Sequence, residues 1–237
     1  MEILGIVDNY KKSDNYKTDW GFSVGITTDH YNIIFDTGND PEVLKHNMRE
    51  LDLDLKNRNI DLLFISHNHT DHTGGLNYFL DNYYLKNIAV PYDIDQEIFK
   101  NISKLDNTRI MDIKSPTTLD LNIHTTGAMG EEIKEQALVI ETKKGLILLV
   151  GCSHPGISEI IEYVEKTFND RIHLLIGGFH FYKLYEEKLD KEINYLLNSD
   201  IDHIAPTHCT GDRARKILKE KLGDKFVDFG VGYKINI

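Results

Sequence analysis

Short apolar runs alternate with amphipathic stretches along the whole chain. Runs bounded by turn-formers predict strands, and apolar positions recurring every three or four residues predict helices. Strand patterns occur at Ile3 to Val7, Phe22 to Thr28 and Tyr31 to Phe35, and Pro41 to Leu51 reads as a helix. The run Ile60 to Ile65 predicts a buried strand. Gly74 to Tyr84 predicts a helix with Leu76, Phe79, Leu80 and Tyr83 on one face. A short strand at Ile88 to Val90 and a helix from Ile94 to Leu105 follow. Strands are then expected at Thr108 to Ile113, Thr118 to His124, Ala137 to Thr142 and Leu146 to Val150, with Lys143-Lys144-Gly145 as a hairpin turn.

The last third repeats one pattern of strand, polar loop and helix. Ile157, Ile160, Ile161, Val164 and Phe168 form an apolar stripe behind the strand Leu146 to Val150. The strand Ile172 to Ile176 precedes a helix through Leu189, Ile193, Leu196 and Leu197. The strand His203 to Ala205 precedes a helix from Asp212 to Leu222, with Gly223 as its stop. The tail from Phe226 to Ile237 is strand-like. There is no repeat and no linker-like tract, so a single domain over 1–237 is expected, of the layered α/β class.

What breaks the pattern is the chemistry at the strand ends. Ser66-His67-Asn68-His69-Thr70-Asp71-His72 packs three imidazoles and a carboxylate behind the Ile60 to Ile65 run. Phe35 runs into Asp36-Thr37-Gly38, and three later strands end in Gly151-Cys152-Ser153-His154, Gly177-Gly178-Phe179-His180 and Thr207-His208-Cys209-Thr210-Gly211. Imidazole and carboxylate donors at this density point to a transition metal. The candidate ligands are His67, His69, Asp71, His72, His154, His208 and Cys152, with Asp36 less direct. Two metals need about six to eight donors with open positions, which this inventory supplies. His180 ends a strand after two glycines and is assigned to the site as a substrate contact or proton donor. Cys152 has two readings, a small buried hydrophobe or a thiolate ligand, while Cys209 is assigned to packing. Trp20 is either core or an aromatic wall for a flat ring. His30, His46, His124, His173 and His203 have no partner motif and read as surface or core positions.

Composition narrows the partners. The 237 residues are 41% hydrophobic, enough for a substantial core. A formal charge of −11 argues against broad nucleic-acid binding, yet a metal centre can supply local positive charge to a phosphorylated small molecule. No apolar run approaches the ~20 residues of a membrane span, and the N-terminus lacks a secretory pattern. Two cysteines are too few for a disulfide framework, which fits a cytoplasmic protein. Oligomeric state is left open, a homo-oligomer included.

The His67-x-His69-x-Asp71-His72 loop, the Phe35-Asp36-Thr37-Gly38 turn and the later strand-end histidines resemble the metallo-β-lactamase superfamily. The resemblance implies an αββα sandwich, two mixed sheets packed face to face with helices outside. It implies two divalent ions, zinc foremost with iron, manganese or magnesium as alternatives. His67 and His69 would bind the first metal, and Asp71, His72 and His208 the second. Asp36 would orient a ligand, and Asp71 and His180 would move protons. Two departures stand out. Gly151-Cys152 occupies the place of the usual Gly-Asp bridge, and no histidine stands within Thr126 to Met129, where the resemblance puts the third ligand, which makes His154 the natural substitute. With Val7-Asp8-Asn9 and Trp20-Gly21-Phe22-Ser23, these features resemble the 7,8-dihydropterin-6-methyl-4-(β-D-ribofuranosyl)aminobenzene-5'-phosphate synthase subfamily. That implies condensation of 6-hydroxymethyl-7,8-dihydropterin diphosphate with a ribosyl-aminobenzene phosphate in methanopterin-type biosynthesis. The competing expectation is a dinuclear zinc hydrolase of a phosphoester, thioester or lactone.

Overall fold

The computed structural model describes residues 1–53 and 59–237. By its internal contacts the chain forms two compact units, 1–114 with 229–237, and 115–228.

The first unit is built on a seven-stranded sheet. Its strands in chain order are β1 (Glu2–Val7), β2 (Ser23–Thr27), β3 (Asn32–Phe35), β5 (Leu62–Phe64), β7 (Asn87–Pro91), β8 (Arg109–Ile113) and β15 (Lys234–Asn236). They lie in the order β15-β1-β2-β3-β5-β7-β8. Pairing is antiparallel from β15 to β3 and parallel from β3 to β8. Around the sheet run α1 (Pro41–Glu50), α2 (Thr70–Thr73), α3 (Leu76–Asn82) and α4 (Gln96–Ile102). Proline in the first turn and the Asp40 carboxylate on the Glu42 N–H start α1, as expected for a capped helix. Leu44 and Met48 of α1 and Phe79 of α3 pack with Ile34, Leu63, Ile65 and Ile88 of the sheet region in one buried cluster. Phe35 stacks on Phe64 across the β3–β5 pair at 5.3 Å.

The second unit carries a six-stranded sheet of β9 (Thr117–Asp120), β10 (Ile123–Thr125), β11 (Leu138–Thr142), β12 (Gly145–Val150), β13 (Ile172–Gly178) and β14 (His203–Thr207). The spatial order is β14-β13-β12-β11-β10-β9. The pairs β9–β10, β10–β11 and β11–β12 are antiparallel, and β12–β13 and β13–β14 are parallel. Helices α5 (Ile157–Phe168) and α6 (Glu186–Asn198) make the two crossovers, and α7 (Asp212–Leu222) follows β14. Their apolar stripes, including Ile160, Ile161, Val164, Ile193 and Leu218, join Leu148, Val150, Leu175 and Ile204 in one core.

Several expected elements differ; the helix expected over Gly74 to Tyr84 spans Leu76–Asn82, and Tyr84 lies in a short strand. The run Ile60 to Ile65 splits at Asp61, whose carboxylate accepts from the Asn32 N–H at 2.9 Å. Its first part is β4 (Asn59–Ile60), which pairs with β6 (Tyr84–Leu85) in a separate two-stranded sheet. Thr118 to His124 is the hairpin β9–β10, turned at Leu121, which is 83% exposed. Of the tail, only Lys234–Asn236 is a strand, paired with Glu2 to Leu4 of β1, while Val231 makes only isolated bridges, one of them to Gly5. No helix among the described residues is long and apolar enough to cross a membrane.

Both sheets share a device. Adjacent parallel strands send their C-terminal ends, and the loops behind them, to one edge. In the first unit β3 and β5 do this, with Phe35 opposite Phe64. In the second, Val150 lies opposite Gly177 and Gly178 opposite Thr207. Every chemistry-bearing loop predicted from the sequence leaves from one of these five strands.

Candidate functional site

In the first unit the site is organised by Asp36, which is fully buried one residue past β3. Its Oδ1 accepts the Ser66 backbone N–H at 2.7 Å. Its Oδ2 accepts the Ser66 hydroxyl at 2.7 Å and pairs with His72 Nδ1 at 2.6 Å. With its proton on Asp36, the Ser66 oxygen is left to accept from His67 Nδ1 at 2.9 Å. One carboxylate thus reaches two imidazoles, His72 directly and His67 through a hydroxyl. Both rings keep their proton on Nδ1 and offer Nε2 as a lone-pair donor. Burial pushes the Asp36 carboxyl up from its usual range, and the attraction of the adjacent His72 and the bonds from His72 and Ser66 only partly offset that.

The remaining donors of this loop gather at the same place. His67 Nε2 lies 3.1 Å from His69 Nδ1. Two nitrogens on one tetrahedral zinc at ~2.05 Å would be about 3.3 Å apart, so the pair already has the spacing of co-ligands. The His67 and His72 ring centroids are 4.1 Å apart, and Asp71 Oδ2 lies 3.8 Å from His72 Nε2. The loop is fixed by its backbone: the His72 carbonyl accepts from both the N–H and the hydroxyl of Thr37, and the Asp71 carbonyl from the Phe22 N–H. Trp20 nearby in sequence is 43% exposed, so it is not core.

In the second unit, Cys152, His154, His180, His208 and Cys209 stand behind β12, β13 and β14. The three loops are laced together: Ser153 Oγ donates to the Gly178 carbonyl at 2.7 Å, and the Phe179 N–H to Thr210 Oγ1 at 3.1 Å. A side chain at Gly177 would overlap the Val150 carbonyl, and one at Gly178 the Cys209 sulfur, so the two glycines permit this approach. Cys152, His180 and Cys209 each offer a ligand atom, all within 4.8 Å of one another. Burial pushes the Cys209 thiol up, but the hydrogen bonds with Cys152 and His180 and the adjacent His208 outweigh it and hold it well below its usual range. Cys209 is therefore part of the polar cluster, beyond the packing role expected for it. His180 lies against His154 with ring centroids 4.7 Å apart, and both line a cleft of about 500 Å³ with Glu131, Glu132 and Glu159. Among the described residues, the buried His180 Nδ1 has no hydrogen-bond partner.

Sequence reasoning missed Glu135. Its buried carboxylate receives His154 Nδ1 at 2.7 Å and the backbone of the loop that carries it. The available signal was faint, one of three nearby acidic residues, two positions ahead of an apolar run. By contrast His173 is bonded to Asp202 at 2.8 Å and His124 lies 3.1 Å from Glu141, away from the strand-end loops, as expected of positions without a motif.

The donors fit a divalent transition metal: imidazoles oriented by buried carboxylates on their far nitrogen, together with thiol and carboxylate groups. Residues 21–168, more than half of the chain, match the family model of the Metallo-beta-lactamase superfamily. The chain belongs to this superfamily. Its members are generally metal-dependent enzymes, mostly hydrolases, and the fold implies divalent metal binding. The chain is 28% identical to a Methanocaldococcus jannaschii protein named 7,8-dihydropterin-6-methyl-4-(beta-D-ribofuranosyl)-aminobenzene-5'-phosphate synthase, over 82% of this chain and 80% of that one. An uncharacterized protein of the same organism is also 28% identical, over 98% of both chains. Among solved structures, a metal-dependent hydrolase of the beta-lactamase superfamily superposes with a TM-score of 0.78 and 27% identity, covering 100% of this chain and 99% of that chain. The metallo-beta-lactamase fold protein YhfI from Bacillus subtilis shares the fold, with a TM-score of 0.70 at 16% identity, over 99% of this chain and 98% of that one.

Proposed function

We propose that this superfamily member is a dinuclear enzyme of the dihydropterin synthase type. In this reading the metal ligands are His67, His69, Asp71 and His72 of the loop behind β5, and Cys152, His154 and His208 of the loops behind β12 and β14. The observation that carries it is the strand end Gly151-Cys152, where most hydrolases of the superfamily place a bridging aspartate. A thiolate there favours zinc or iron over magnesium. The likeness to the Methanocaldococcus jannaschii synthase supports the same choice.

When bound, the ions would supply Lewis-acid neutralisation of a diphosphate leaving group. The chain's own residues orient and exclude. Asp36 holds His67 and His72 in place from below the loop, and the laced loops behind β12 to β14 fix His154, His180 and His208. In this reading Asp71 and His180 move protons, and His180 lines a cleft with His154. The aryl amine of the acceptor would attack the pterin methylene carbon while water is kept from the diphosphate.

A hydrolase is the second reading, favoured by the full-length likeness to the solved metal-dependent hydrolase. There a metal-activated water would attack a phosphoester, thioester or lactone. Mass spectrometry separates the two. Zinc-loaded protein is given 6-hydroxymethyl-7,8-dihydropterin diphosphate with and without 4-(β-D-ribofuranosyl)aminobenzene 5'-phosphate. A condensed product that forms only with the acceptor is expected. Free hydroxymethyl-dihydropterin or its monophosphate in both samples would replace the synthase with a phosphoester hydrolase. No turnover in either would reject both phosphate chemistries and leave thioesters and lactones.

A further inference from the structure

Glu135 precedes β11 in the second unit, with its side chain 1% exposed. Its Oε1 accepts the backbone N–H groups of Gly151 at 3.1 Å, Cys152 at 2.8 Å and Ser153 at 2.9 Å. Its Oε2 lies 2.9 Å from the His154 N–H and 2.7 Å from His154 Nδ1. Four consecutive N–H groups curled around one anion form a nest, a motif that elsewhere receives phosphate or other free anions. Here the nest is filled by the protein's own carboxylate, so the loop behind β12 is a capped structural element and not an anion subsite.

The ring contact adds a chemical consequence. A carboxylate only accepts, so Nδ1 of His154 must carry its proton. The lone pair then sits on Nε2, the nitrogen left to ligate. We infer that Glu135 is the positioning residue of His154: it locks the imidazole in its Nε2-donor tautomer and holds Cys152 and His154 in one rigid loop. This rests on the reading of His154 as a metal ligand. Asp36 does the equivalent for His67 and His72 in the first unit, from an unrelated place in the sequence.

An isosteric change separates positioning from mere loop capping. In Glu135→Gln the amide oxygen can take the three bonds of Oε1, while the NH2 replaces Oε2. That NH2 donates to Nδ1 and drives the ring proton to Nε2. Most of the cap survives and the tautomer inverts. The metal-free full-length protein, labelled with ¹⁵N-histidine, reports the tautomer directly by NMR, with His154→Ala assigning the signal. Wild type is expected to show Nδ1–H and Glu135→Gln to show Nε2–H. In competition with a chelator, Glu135→Gln should bind zinc about 10–100-fold more weakly, the range for lost outer partners of a ligating histidine. Glu135→Asp, which keeps an acceptor-only group, should retain Nδ1–H.

Nε2–H in the wild-type spectrum would overturn the assignment, as would wild-type zinc affinity in a Glu135→Gln variant with the inverted tautomer. If Glu135→Gln fails to fold, the wild-type and Glu135→Asp spectra still decide. Absence of zinc binding by wild type would sink the metal reading, whereas the tautomer is judged on its spectrum alone.

Discussion

Four non-glycine residues behind the parallel strands have left-handed backbone: Asp36 at φ 54°, Ser153 at 60°, His180 at 55° and His208 at 45°. Such conformations cost about 1 kcal/mol each and persist where the surroundings over-determine them. Three more occur at Asp52, Asn107 and Asn169, residue types that tolerate this region well. The serine is less usual there, and it and the two histidines sit on the laced loops. Asp36 combines the strain with three buried donors, which makes it a sensitive position. Asp36→Ala leaves those donors unmet, at about 1–3 kcal/mol each for buried groups, and places alanine at positive φ. A loss of 3 kcal/mol or more is expected for the metal-free protein by urea denaturation. Asp36→Asn should lose less, since asparagine accepts left-handed backbone and one amide oxygen still faces the Ser66 N–H. Equal losses would mean that the hydrogen bonds do not carry the effect. Asp36 was legible in the sequence because it ends a strand at a turn. Glu135 was not, because nothing in local spacing says which carboxylate will fold back onto a loop 16 to 19 residues away.

At the scale of elements, α7 shows how a helix is made to hold a strand end. Arg215 Nε donates to the Pro206 carbonyl in β14 at 3.1 Å, and its guanidinium pairs with Asp228 at 2.9 Å. Lys219 reaches the other Asp228 oxygen at 2.7 Å. Burial pushes the Asp228 carboxyl up, but the Lys219 bond and the Arg215 and Lys219 charges outweigh it and hold it below its ordinary 3.8. A depressed carboxyl stabilises the fold above its unfolded value and loses that contribution as pH falls through the folded one. Wild type and Asp228→Asn should therefore have equal stability in strong acid and separate as pH rises toward about 4, with wild type leading by a constant margin of roughly 0.5–1 kcal/mol above that, as for part-exposed pairs. Stability measured against pH checks this, and a constant gap across the range would exclude the charge as its cause. Helices such as α5 and α7 were legible to the residue, because a long apolar stripe with a clear stop admits one period. The β4–β5 and β9–β10 breaks were not, since a single Asp61 or an exposed Leu121 interrupts a run without disturbing its hydrophobicity.

Across the molecule, the fold class and superfamily were readable because the histidine loop and the strand-end pattern are both local in sequence. Which donors come together is a long-range property, and the cleft beside His154 and His180 is lined by residues such as Glu131 and Glu159 that no spacing marks. If the donors act as a native metal centre, metal binding must stabilise the folded state. At free zinc 100-fold above its dissociation constant the gain is about 2.7 kcal/mol. A thermal scan should show the midpoint rising with zinc and falling back with chelator, and His69→Ala should abolish the rise. An unchanged midpoint would separate the donors from any ion they hold in the native state.

The placement of β15 bears on how the chain is made. Glu2 to Leu4 of β1 pair with residues 234–236, and residues 229–237 belong to the first unit although the second unit lies between. On a ribosome, β1 emerges long before residues 234–236 and waits with one open edge until they follow, and an open edge invites wrong partners. The second unit is continuous in sequence and has every strand it needs before that point. The half of the protein translated later is thus the half that can close first.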